Sequence, residues 1–214
     1  MASERTAAAG GLLKRCKQAL AENPVLFGGL ALAPVVMVAT TVKNAVALMI
    51  VMACTLVPVM LLEAVLARYL PMVPDFARMA LCAVFAAAML MPARLAVAPL
   101  AQNIFDSLGM YFALTGVSAL MFLHSPGREP EGPRFAVTDA VCGTLGFALA
   151  VFLTGAVREA LSLGTFWGVP LGFSVKFPAM AMPFAGFFTA AFWAAAWNSL
   201  SRLIGRMGGG REVE

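Results

Sequence analysis

The chain has 214 residues, 61% of them hydrophobic and only 12% charged, against roughly 25% charged in an ordinary soluble domain. That balance excludes a conventional water-soluble globule and points to lipid as the solvent around most of the chain. The formal charge of +4 would on its own admit a nucleic-acid partner. The basic residues, however, gather between apolar stretches, where they read as membrane orientation and not as a nucleic-acid surface.

Residues 1–24 read as a cytoplasmic segment carrying Arg5, Lys14, Arg15 and Lys17. A membrane domain over 25–204 and a cytoplasmic tail over 205–214 follow. The domain contains six apolar stretches: Val25 to Val42, Val46 to Leu66, Met79 to Val97, Leu108 to Leu123, Val137 to Val157 and Ala179 to Leu203. Most have the roughly 17 to 25 residues that a helix needs to cross a hydrocarbon core. The first is not expected to be a cleaved signal, because no small-residue cleavage site follows it and the multispan pattern continues.

That first stretch carries Pro34 in its middle and ends in Thr40, Thr41, Lys43 and Asn44. A proline inside a helix costs roughly 3 kcal/mol through a lost hydrogen bond and a clash. In lipid, the freed backbone groups must find protein or water. Two readings follow. The helix stops partway through the bilayer at this polar cluster, or it is a kinked full span whose polar end lies at the interface.

With the N-terminus in the cytoplasm, that side receives Arg5, Lys14, Arg15, Lys17, Arg68, Arg78, Arg128, Arg134, Arg202, Arg206 and Arg211. The opposite side keeps Lys43, Arg94, Arg158 and Lys176. Eleven cations against four place both termini inside by the positive-inside rule.

The third and fourth spans are joined by "ARLAVAPLAQNIFD", which divides the chain into two groups of three. Each group opens with its shortest member, about 18 and about 16 residues; Gly109 and Gly116 weaken the second of these. Short or broken spans at matching positions suggest an inverted repeat whose discontinuous helices meet near the membrane midplane. The expected fold is therefore an all-α membrane protein of six transmembrane helices, built as two inverted three-helix repeats.

"GAVREALSLGTFWGVPLGFSVKFP" follows the fifth span and carries Arg158 beside Glu159. Neighbours in sequence do not face each other on a helix, so the two need not form a salt bridge. Either both are interfacial, or one anchors the fifth span to a partner or loop, as charges near a membrane usually do. Glu63 reads as snorkelling toward the cytoplasmic surface, and Asp106 with Ser107 as a cap of the fourth span; the alternative for either carboxylate is a place on an ion pathway. Cys16, Cys54, Cys82 and Cys142 contain no Cys-x-x-Cys pair and His124 sits at a span end, so no local metal motif is present. Gly186, Ala190 and Ala194 recur every four residues on the sixth span, a face suited to close helix packing.

Three segments carry a resemblance: "ENPVLFGGLALAPVVMVATTVKNAVAL" in the first span, "SLGMYFALTG" opening the fourth and "GAVREALSLGTFWG" after the fifth. The chain resembles the membrane subunits of the Rnf and Na+-translocating NADH:quinone oxidoreductase complexes, nearest the RnfE/NqrD branch. The resemblance implies an inverted-repeat subunit of the bacterial inner membrane, paired with a homologous RnfA/NqrE-like subunit of opposite topology. It also implies an iron–sulfur centre held between them by two cysteines from each, with electron transfer coupled to Na+ or H+ movement. The family's cysteine before Pro34 falls on Ala33, and its Asn-Cys pair falls on Ser118 and Ala119.

Alanine offers no lone pair, so this chain alone is expected to hold no cofactor, the centre being lost or supplied by a partner. A structural or ion-path-forming, non-catalytic role in a redox-driven translocase is the resulting expectation. Pro34, Thr40, Thr41, Asn44, Ser118, Arg158 and Glu159 are its candidate functional residues. The alternative is a six-span carrier or substrate-binding transport component unrelated to electron transfer.

Overall fold

The computed structural model describes residues 32–70, 72–98, 114–116, 118, 133–172 and 176–208. Helix α1 (Leu32–Val38) is followed, after three residues, by α2 (Val42–Tyr69). Helices α3 (Asp75–Val97) and α4 (Pro133–Ser162) come next. An antiparallel pair of two-residue strands, β1 (Thr165–Phe166) and β2 (Val169–Pro170), then leads to a 3-10 turn (Pro178–Ala181) and helix α5 (Pro183–Gly208).

By length and composition, α2, α3 and the Ala136–Ser162 part of α4 can each cross a membrane. Helix α2 is the central element, packed along α4 on one side and α3 on the other. Its Leu48, Val51, Met52 and Leu56 are buried with Phe147, Ala150 and Val151 of α4 and with Val35 of α1. A second cluster, Val59, Leu66, Cys82 and Ala86, closes α2 against α3. Pro58 and Pro92 lie inside α2 and α3 without ending them; membrane helices tolerate such prolines where neighbouring groups satisfy the freed carbonyls.

The expected spans are extended at their edges. The second begins at Val42 and not Val46, and the fifth runs from Pro133 to Ser162, which puts Arg158 and Glu159 inside the helix. The sixth opens with the 3-10 turn and an extended Met182 before helix resumes at Pro183. It then continues to Gly208. The hairpin was not expected in an all-helical chain.

The polar cluster of the first span forms the break between two helices. Helix α1 does end at Val38, but α2 has 28 residues, roughly 42 Å at 1.5 Å per residue, against a hydrocarbon core of roughly 30 Å. A helix of that length can cross the core by itself. The 39–41 turn that precedes it separates α1 from α2. The expected juxtaposition of Ala33 with Ala119 lies outside the described residues, because Ala119 is not among them. The same holds for the Asp106 and Ser107 cap and for most of the fourth span.

Candidate functional site

The α1–α2 turn is built from its own residues first. Thr41 is extended (φ −133°, ψ 158°) and caps α2, its hydroxyl accepting from Asn44 N at 3.2 Å, the bond expected of an N-cap threonine. The Asn44 side chain turns back to donate to Val38 O at 3.2 Å and to Thr40 Oγ1 at 3.3 Å. Thr40 N donates to Val38 O at 2.7 Å. The polar packet is thus a local hydrogen-bonded knot that ends one helix and starts the next.

Two charges from α4 complete it. Arg158 is 0% exposed and Glu159 is 2% exposed, so neither is interfacial in the sense of facing water. Arg158 Nη1 donates to Val36 O at 2.6 Å and to Ala39 O at 3.2 Å, both at the C-terminal end of α1. Its Nε donates to Met180 O at 3.0 Å, and Nη2 donates to Ala181 O and Met182 O at 3.1 Å each.

Glu159 points elsewhere. Its Oε2 accepts from Val42 N, the first residue of α2, at 2.6 Å. Its Oε1 accepts from Thr165 Oγ1 at 3.0 Å and from Gly168 N at 2.8 Å. The cation therefore meets the carbonyl end of one helix and the anion meets the amide end of the next. Both placements complement the helix dipoles and satisfy groups that helix termini leave open. The anchoring role expected of one residue belongs to both, with separate targets.

Backbone geometry brings these groups together. At the end of α4, Gly164 is left-handed (φ 67°) and donates to Ala160 O at 3.2 Å, the αL cap that turns a chain sharply out of a helix. The hairpin tip has positive φ at both Trp167 (58°) and Gly168 (81°), as a two-residue type I′ turn requires. Trp167 is thus a non-glycine residue in a costly region, held where the Gly168 amide reaches Glu159. A Cβ on Gly155 would meet Ala45 Cβ at 2.9 Å and Thr41 O at 3.1 Å, and one on Gly186 would meet Val36 O at 2.7 Å. Helix α4 approaches the turn through Gly155, and α5 approaches α1 through Gly186. The small-residue face of α5 is therefore partly used within the chain, and Ala190 and Ala194 line a mainly apolar cavity of about 270 Å³ between α1, α4 and α5.

The remaining candidates separate from this site. Pro34 is buried in α1. Ser118 is buried, and its hydroxyl donates to Leu114 O at 2.9 Å within its own turn. Glu63 accepts from the Cys82 thiol at 3.6 Å, between α2 and α3, so it has a protein partner in place of snorkelling alone. Sequence reasoning missed Gly155, Val42, Thr165 and Gly168; the two glycines of "GTFWG", Gly164 and Gly168, were the available hint of a turn.

The chain matches the family model described as "Rnf-Nqr subunit, membrane protein" over residues 13–194. It belongs to the Rnf-Nqr family. It is also similar to a protein of Shewanella oneidensis, the E-type component of an ion-translocating oxidoreductase complex, with 29% identity over 144 residues. That alignment covers 67% of this chain and 61% of the relative, so the chain spans less than two thirds of the relative's length.

The iron centre that the Rnf-Nqr resemblance implies can be tested against the donors present. Ala33 is exposed on α1, and its methyl cannot replace a thiolate ligand. Among the described residues, no group of three or more His, Cys, Asp or Glu side chains is placed to hold a metal. Cys54 and Cys82 are free thiols on α2 and α3, and the Cys82 thiol is directed to Glu63.

Proposed function

We propose that this chain is an RnfE/NqrD-like subunit of a redox-driven Na+ or H+ translocating complex in the bacterial inner membrane, with both termini cytoplasmic. Its role is structural or ion-path forming, and the iron centre is lost or held by its partner. The family match carries the complex assignment, and Ala33 on α1 supports the non-ligating role. An inverted repeat and an RnfA/NqrE-like partner of opposite topology belong to the same reading. The large apolar side chains exposed on α3 and α5, among them Phe76, Val84, Phe188 and Phe192, suit lipid and a neighbouring subunit.

The test is purification of the tagged full chain from native membranes. The expected result is co-purification of a homologous membrane subunit together with flavin-binding subunits. Full monodisperse yield in the absence of every neighbouring membrane gene would favour the carrier reading. The repeat is tested by Ala33→Cys with Ala119→Cys in a background free of native cysteines. A disulfide needs Cα atoms within about 7 Å, so crosslinking within one chain is expected only of the double variant.

A further inference from the structure

Arginine has five N–H donors and no acceptor. In Arg158 all five end on main-chain carbonyls, two from the end of α1 and three from the turn that precedes α5. These two segments are distant in sequence and lie on opposite sides of α4 in chain order. Without the guanidinium, their carbonyl oxygens would converge on a buried and uncompensated electronegative pocket. The Glu159 carboxylate does the converse for two amides and a hydroxyl on α2 and the hairpin.

We infer that Arg158 and Glu159 are positioning residues. Arg158 is a tethered planar cation in a carbonyl pocket that recognises guanidinium-type ions, and Glu159 is its tethered anionic counterpart. Together they clamp the hairpin and the 3-10 turn onto the α1–α2 turn. They act through the backbone they hold and not on a substrate. Their functional consequence rests on the reading proposed above: the clamp fixes α1, the helix that carries the family's ligand position at Ala33. The pocket chemistry stands on the hydrogen bonds alone, so the two fail separately.

A pocket shaped for a planar five-donor cation should accept the free ion once its own arginine is removed. The measurement is heating of native membranes containing the full chain, followed by the fraction still extractable in detergent. Arg158→Ala is expected to lower the midpoint by on the order of 10 °C, the scale for uncovering one partner of a buried charged network in a chain of this size. Low-millimolar guanidinium should recover about half of that loss, and urea at equal concentration none. Recovery by both solutes alike, or a midpoint equal to that of the unaltered chain, overturns the inference.

If Arg158→Ala does not accumulate in the membrane, Arg158→Lys decides. An ammonium keeps the charge but has three donors in place of five and cannot span both carbonyl sets. A clear midpoint loss is therefore expected of it as well. A midpoint for Arg158→Lys equal to that of the unaltered chain would show that any buried cation suffices, and the guanidinium pocket would be refuted.

Discussion

Two charged regions among the described helices are built on opposite plans. Around the α1–α2 turn, Arg158 and Glu159 are buried and bonded to backbone from separate segments of the chain, with close approaches at Gly155 and Gly186. At the start of α3, Arg78 pairs with Asp75 one turn away in the same helix, and the Asp75 side chain is 90% exposed. The first plan joins elements distant in sequence; the second closes on itself. A charge inside a membrane protein is costly unless fully paired, so the buried pair fixes tertiary structure, while the Asp75–Arg78 pair, half-solvated through Asp75 with Arg78 only 19% exposed, stays within one helix.

The largest expected effect separates these plans directly. Glu159→Ala leaves Val42 N, Gly168 N and the Thr165 hydroxyl without their acceptor. Removing one partner of such a buried network costs roughly 3–5 kcal/mol, and the membrane melting midpoint should fall by about 10 °C. Glu159→Gln retains one acceptor oxygen and should lose less. Equal midpoints for Glu159→Ala and the unaltered chain would reduce the clamp to a packing detail.

The glycines come next. Gly186→Ala drives a methyl toward the Val36 main chain, a neighbour that can move only by displacing α1, whereas Gly155→Ala meets first the Cβ of Ala45. Overpacking of this kind costs roughly 1–3 kcal/mol. Gly186→Ala is expected to show the larger midpoint loss of the two. The reverse order, measured in the same membranes, would mean that α4 and not α5 sets the position of α1.

Part of this contrast was legible in the sequence and part was not. The turn was visible because Thr40, Thr41 and Asn44 are capping residues set among apolar ones, and their bonds are local. Arg158 and Glu159 stood out as adjacent charges in an apolar frame. Their separate targets were not legible, since Val36, Val42, Met180 and Gly168 offer only backbone groups, which composition cannot mark as partners. The start of the second span was misplaced for a related reason. Hydropathy put it at Val46, past Lys43 and Asn44, whereas α2 already begins at Val42. The hairpin was hidden because its tip is Trp-Gly, where the usual type I′ signal is Asn-Gly.

The smallest expected effect tests the other half of the comparison. Asp75 occupies the first turn of α3, where a carboxylate favours the helix dipole, and it pairs with Arg78 at i,i+3. Both contributions are made at a largely solvated side chain. Exposed ion pairs contribute roughly 0–1 kcal/mol and are screened by salt. Asp75→Asn should therefore move the membrane melting midpoint by less than about 4 °C, and raised ionic strength should shrink the difference further. The Glu159→Ala loss should be nearly independent of salt, because buried charges are screened far less than exposed ones. A salt-sensitive loss at Glu159, or a large salt-insensitive one at Asp75, would mean that local pairing and remote backbone pairing do not divide the two regions as their exposures indicate.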